Sequence, residues 1–268
     1  MILIGCSGYS YPDWISFYRN SRSGKLSFYS SRFPAVEINT TFYAIPSRGM
    51  VESWVRKTHG IRNFRYVLKV PRDISHRLGS IKEPELLKIS GLFSYNCIDP
   101  IRNAGQLAGV LLQLPPSADD SWVDMIGSFM ESLNVSGKFL EIRSQIEGFW
   151  KCVEKLSEGW GVSMVSVDSP NNTLKQIHPR GRSAYIRLHG RNSRLWNDGN
   201  AGLSRYHYDY SRAELEEIAG MINRDKSGFE DVYIFFNNHP GGNAPRNALS
   251  LMEMLDSERP FTGQSRLA

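Results

Sequence analysis

The chain has 268 residues, long for one ordinary domain but close to the ~250 residues at which α/β barrels run as single units. Its 41% hydrophobic content can build a sizeable core, and no apolar run approaches the roughly 18 residues needed to span a bilayer. The net charge of +5 is spread without a basic block, which favours an anionic small molecule or nucleic acid as partner without choosing between them.

The opening Met1-Ile2-Leu3-Ile4-Gly5 lacks both the basic segment and the apolar length of a signal peptide, so it reads as a first strand and a cytoplasmic location is expected, with no membrane partner. Strands are then predicted at 2–6, 35–39, 64–70, 110–114, 139–143, 162–168, 184–189 and 232–237. Helical patterns fall between them at 25–33, 48–57, 84–95, 121–133, 148–158, 211–223 and 244–255. Ser47, and Ser211 with Glu214 three residues on, mark two of the helix starts. The crossover after the sixth strand is short of helix, with at most two turns at 171–177 before Pro179. Eight alternating units without a G-x-G-x-x-G motif predict a closed (β/α)8 barrel of TIM type, a single domain over 1–268 with no linker.

Side chains alternate faces along a strand, so the phase of each strand can be checked. Glu37 pairs in phase with Asn39, Lys69 with Val67, and Gln113 with Leu111; Phe139, Glu141 and Arg143 share a face. Met164, Ser166 and Asp168 form another set, as do Tyr185, Arg187 and His189, and Phe235 with Asn237. Seven strands thus end in a polar residue opposite an aliphatic phase, which predicts a lining at the C-terminal rim of the barrel, where barrel enzymes carry their chemistry. Glu37, Glu141 and Asp168 supply carboxylates for proton transfer, with His189 as shuttle; Asn39, Lys69, Gln113, Arg143, Arg187, Asn237, Asn238 and Tyr43 are candidate substrate-binding groups. The same charges, if buried together, read as an internal ion-pair network that orders the barrel. Three carboxylates with His76, His189 and His239 are also a set from which a divalent metal site could be drawn, although no H-E-x-x-H or other local signature is present.

Two loops stand out. Asn237 to Asn247 brings glycines close to a helix start that Asn243 can cap, the usual phosphate position in such barrels. The stretch from His189 to Tyr210 is too long for a routine connection and carries Arg191, Arg194, Trp196, Tyr206, His207, Tyr208 and Tyr210. With Tyr9, Tyr11, Trp14, Phe42 and Tyr43, these aromatics either stack a base or sugar at the mouth or pack the loops down. Cys6, Cys97 and Cys152 form no C-x-x-C pair and predict neither a disulfide framework nor a zinc site. Cys6, at the end of the first strand, has no evident base beside it to make it a nucleophile.

The motifs Gly5-Cys6-Ser7-Gly8-Tyr9, Val36-Glu37-Ile38-Asn39-Thr40-Thr41-Phe42-Tyr43, Leu112-Gln113-Leu114-Pro115-Pro116, Leu140-Glu141-Ile142-Arg143, Val167-Asp168-Ser169-Pro170, Arg187-Leu188-His189-Gly190-Arg191 and Phe236-Asn237-Asn238 carry a resemblance nearly end to end. Together they resemble the YecE-like family, also called domain of unknown function 72. The resemblance implies a TIM-type barrel and brings no established activity. Two positions depart from the family pattern: Cys6 stands where the family usually has Thr, and Ser144 stands where it tends to carry His.

The residues together point first to an enzyme acting on a phosphorylated or other anionic substrate at the rim, such as a phosphoester hydrolase, with nuclease-like action as a special case. A nucleic-acid or metabolite binding module without turnover is the alternative from another class. A glycosidase is the third, and it requires two carboxylates flanking an open cleft without intervening cations.

Overall fold

Eight short parallel strands close on themselves in chain order, each paired with its sequence neighbours and the first also with the last. The computed structural model describes residues 1–19, 21, 24–255, 257 and 260. The strands are β1 (Ile2–Ser7), β2 (Ala35–Ile38), β3 (Arg65–Lys69), β4 (Leu107–Leu114), β5 (Lys138–Ile142), β6 (Ser163–Asp168), β7 (Ala184–Leu188) and β8 (Val232–Phe236). Seven principal helices surround them: α1 (Lys25–Ser30), α2 (Arg48–Thr58), α3 (Glu83–Phe93), α4 (Val123–Ser132), α5 (Glu147–Ser157), α6 (Arg212–Asp225) and α7 (Asn243–Met254). This is the (β/α)8 TIM-type fold expected from the alternation, and none of its described helices is long and apolar enough to cross a membrane.

The local signals act as their chemistry requires. Ser47 Oγ accepts from the Met50 amide at the start of α2, and Ser211 and Glu214 form a reciprocal capping box at the start of α6. The helical path begun by α3 runs past its expected end at Tyr95, through a π-turn over Ser94–Ile98 into a further turn at Asp99–Asn103. The wide turn lies just before Pro100, whose ring supplies no N–H to an ordinary helical ladder.

Two buried layers hold the barrel together. Inside it, Leu3, Ala35, Val67, Leu111, Phe139, Tyr185, Tyr233 and Phe235 fill the lumen, so the interior is packed rather than a pore. Outside it, the opposite phase, including Ile4, Val36, Leu68, Leu112, Leu140, Met164, Ile186 and Ile234, packs under the helices. Each large apolar side chain buried this way contributes about 1.5–3 kcal/mol.

Strand β6 departs from the expected phase. Val165 and Val167 lie in register with Tyr185 and Arg187 of β7, whose side chains point inward, so the two valines face the lumen. Ser166 and Asp168 therefore face outward, the opposite of the predicted orientation. The cause is the crossover that follows, which forms no helix; its backbone N–H groups need acceptors. Ser166 Oγ accepts from the His178 amide at 2.8 Å and Asp168 Oδ1 from the Leu174 amide at 2.9 Å, while Leu174 and Ile177 supply the buried apolar cover. Polar residues take the outer phase of β6 because an irregular segment, not a helix, packs on it.

Candidate functional site

Inward-facing positions at the C-terminal ends of β2, β3, β4, β5, β7 and β8 bring Glu37, Lys69, Gln113, Glu141, Arg143, Arg187, His189 and Asn237 to one end of the barrel. Their centre is Arg187, almost wholly buried between two carboxylates. Its Nη2 donates to Glu37 Oε1 at 2.8 Å and its Nη1 to Glu141 Oε2. The second oxygen of Glu37 accepts from the Tyr185 hydroxyl at 2.7 Å. The second oxygen of Glu141 accepts from Gln113 Nε2 at 2.5 Å and from Arg143 Nε at 3.1 Å.

Burial alone would raise both carboxyls, yet Arg187 outweighs it and holds both below their usual range, with Tyr185 assisting at Glu37 and Arg143 at Glu141. Both remain ionised at neutral pH. They form the internal ion-pair network anticipated for charges buried together, and neither is a free acid or base. Because Arg187 is bonded to both carboxylates, the open two-carboxylate cleft required of a glycosidase is not formed.

Above this floor lie groups that are less fully satisfied. Lys69 Nζ donates to Gln113 Oε1 at 2.7 Å and stands 4.1 Å from the centre of the Phe42 ring. No carboxylate lies within ion-pair distance of it among the described residues. Burial, and then the neighbouring Arg187, lower its amine to about 7 against the opposing pull of Glu37 and Glu141. Arg143, with 27% of its side chain exposed, is the most open cation of the group. It reaches Tyr206 Oη at 3.2 Å through Nη2, while its Nη1 has no acceptor among the described residues.

His189 is buried, and burial lowers it to about 4, so it is a neutral imidazole near pH 7. Its Nδ1 meets the Asn237 amide nitrogen at 2.9 Å, which places its proton on Nε2, 3.5 Å from Glu141 Oε1 and too far for a good hydrogen bond. Among the described residues, Ser7 Oγ, Asn39 Oδ1, Arg187 Nε and His189 Nε2 are buried at this end without a hydrogen-bond partner of good geometry.

The long segment after β7 closes over this end. Its short helical turns at Ser193–Trp196 and Gly202–Tyr206 carry Trp196 and Tyr206, whose rings lie 5.8 and 5.7 Å from His189. Tyr206 also approaches His239 at 5.8 Å, and Tyr11 stacks on His239 at 4.2 Å. These aromatics pack the loops onto the rim. Tyr43 is different, 76% exposed beside Phe42.

The structure departs from the sequence expectations at several positions. Asp168, on the outer phase of β6, binds Arg191, the Tyr210 hydroxyl and the Leu174 amide, so it anchors the long segment and stands apart from the Glu141 group. Asn238 is buried and donates to Tyr208 O and Asn247 Oδ1, another tether of that segment rather than an exposed substrate contact. Asn243 does not cap α7; left-handed Gly242 holds that position and Asn243 accepts from Arg246. The glycine turn before α7 is not open to phosphate either, because the Asp13 carboxylate accepts from the Gly241 amide at 2.5 Å. No sequence signal marked Asp13 for this role. Among the described residues there is no group of three or more His, Cys, Asp or Glu placed to hold a metal, since Arg187 occupies the space between the two inward carboxylates. Cys6 faces the outer layer, buried and with its thiol pushed well up by that burial, which removes it from consideration as a nucleophile.

Residues 3–266 match the family described as "Protein of unknown function DUF72". The chain belongs to the DUF72 family. It is 28% identical to UPF0759 protein YunF of Bacillus subtilis (strain 168), over 96% of each chain. It is 29% identical to UPF0759 protein YecE of Escherichia coli (strain K12), over 50% of this chain and 44% of that one. Among solved structures, a DUF72 protein of Thermotoga maritima MSB8 superposes with a TM-score of 0.79 at 28% identity, covering 96% of this chain and 100% of that one. A DUF72 protein of Enterococcus faecalis V583 gives 0.79 at 24% identity, covering 96% of both chains, and supports the fold alone.

Proposed function

We propose that the barrel mouth binds a small anionic molecule and that the protein is an enzyme acting on it there. The observation that carries this reading is the charge balance of the mouth. Lys69, Arg143 and Arg187 face two carboxylates, and both carboxylates are already committed to Arg187. The open end of Arg143 is therefore the cation left to meet a ligand, with Lys69 Nζ as a further N–H donor, flanked by the neutral imidazole of His189 and by Asn237. A charged hydrogen bond in a partly dehydrated site contributes about 1.5–3 kcal/mol, enough to hold a small anion when two converge.

With both inward carboxylates paired to Arg187 and no metal-ligand cluster among the described residues, the phosphoester hydrolysis drawn from the sequence gains no specific support. Titration calorimetry with inorganic phosphate tests the reading. Arg143→Ala should weaken binding by about tenfold or more, and added salt should weaken it further. Binding unchanged in that variant, or absent from the intact protein, overturns the proposal.

A further inference from the structure

Lys69 stands at the mouth of the barrel and is buried there. Its side chain rises on the inner phase of β3, in register with Leu111 of β4, and only 8% of the residue is exposed. Four of its neighbours restrict it. Phe42 covers one side, the guanidinium groups of Arg187 and Arg143 repel a proton on Nζ, and Gln113 offers one oxygen. The Gln113 amide cannot turn to offer more, because its NH2 group is held by the Glu141 carboxylate. An ammonium has three N–H groups to satisfy, whereas a neutral amine has two and a lone pair. With one carbonyl acceptor and no carboxylate within ion-pair distance among the described residues, an ammonium there has only the Phe42 face to offset its remaining N–H groups.

We propose that Lys69 is a covalent nucleophile: its Nζ condenses with the carbonyl of a small oxo acid whose carboxylate is held by Arg143. This rests on the anion-binding reading and names the substrate class within it. The Nζ lone pair attacks the carbonyl carbon, a C–N bond forms, and the carbonyl π electrons move to oxygen. The two amine protons pass in turn to that oxygen, the C–O bond breaks, and water leaves. The products are one imine on Lys69 and one water, with no change of oxidation state. An amine kept neutral by burial and by nearby cations is the recognised way for a lysine to do this near neutral pH.

The low amine value, about 7, supports the geometry. The charged and titratable groups around Nζ are Arg187, Glu37, Glu141 and Arg143, with His76 across the Phe42 ring. Against an ordinary lysine near 10.4, the neutral fraction at pH 7 is larger by roughly a thousandfold.

The test uses the full chain with glyoxylate, and in parallel with pyruvate, each in the presence of cyanoborohydride to trap an imine. Intact mass and peptide mapping then locate the reduced adduct. Binding of the same acids is followed by thermal shift in matched samples without the reductant. The expected result is a single adduct on Lys69, forming at pH 7 about tenfold or more faster than on any exposed lysine and with a rate that levels off above pH 8. Lys69→Arg and Lys69→Met should lose that adduct, while the thermal shift shows that each variant is folded. Binding by either acid without adduct on Lys69, or adducts spread over exposed lysines at equal rates, refutes the imine and leaves the anion reading standing. Neither binding nor adduct refutes both.

Discussion

Replacing Arg187 by Met is the sharpest perturbation of the barrel mouth. The substitution keeps an unbranched side chain of similar length and removes the only cation that bonds Glu37 among the described residues. Glu141 retains Arg143 and Gln113, so the larger cost falls on Glu37, left with the Tyr185 hydroxyl in a fully buried position. Removing one partner of a buried pair typically costs about 3–5 kcal/mol, a large share of the ~5–15 kcal/mol that stabilises a whole domain.

The sign of the pH dependence follows from the carboxyls. In the native protein both are held below their ordinary value, so their contribution is present above about pH 4.3 and is lost only as pH falls below it. In the variant, burial without Arg187 raises the Glu37 carboxyl above its unfolded value, and its penalty is relieved as pH falls. Urea unfolding followed by far-ultraviolet circular dichroism should therefore give a deficit of about 3–5 kcal/mol at pH 8 that narrows toward pH 5. The double variant Glu37→Gln with Arg187→Met should recover most of it. A deficit below about 1 kcal/mol, or one independent of pH, refutes the ion-pair floor.

Other consequences can be checked independently. Asp168→Ala strips the Tyr210 hydroxyl, the Leu174 amide and Arg191 of their shared acceptor and should cost about 3 kcal/mol in urea unfolding, while leaving phosphate affinity within about twofold. Loss of phosphate binding by a folded Asp168→Ala protein would contradict its assignment to the loop anchor. Gly5→Ala would put a Cβ 2.0 Å from the Ala35 carbonyl oxygen, a backbone clash, and should reduce stability by more than about 3 kcal/mol or abolish soluble expression; a near-native melting temperature would show the packing to be wrong. Under native conditions a thiol reagent should modify Cys152 alone, because Cys6 and Cys97 are buried and burial pushes the Cys97 thiol up to about 12. Native labelling of Cys6 would contradict its burial.

Much of this was legible in the residues. Every strand was located to within a few positions because buried parallel strands read as short aliphatic runs between helical patterns. The rim lining was legible wherever a helix covers the outer face, since the aliphatic phase then marks outside and the polar phase inside. On β6 that rule inverted, and Asp168 and Ser166 were misassigned, because an irregular crossover asks for acceptors where a helix asks for methyl groups. Asn238 was misjudged for a related reason: its chain neighbour Asn237 faces His189, but the next residue points to the segment that must be tied down. The closure of the α7 turn by Asp13 was beyond reach, since it joins residues 228 positions apart and leaves no local pattern. The pairing of Arg187 with both carboxylates needed distances that phase alone does not give.

The central claim, that Lys69 and Arg143 hold an anion at the barrel mouth, is tested most directly by crystallography with tungstate, a phosphate mimic with a strong anomalous signal. The main anomalous peak should lie within hydrogen-bond reach of Lys69 Nζ and Arg143 and should disappear from Arg143→Ala crystals. A peak at the glycine turn before α7 or at the N-terminal end of the barrel, with none at the mouth, would contradict that claim.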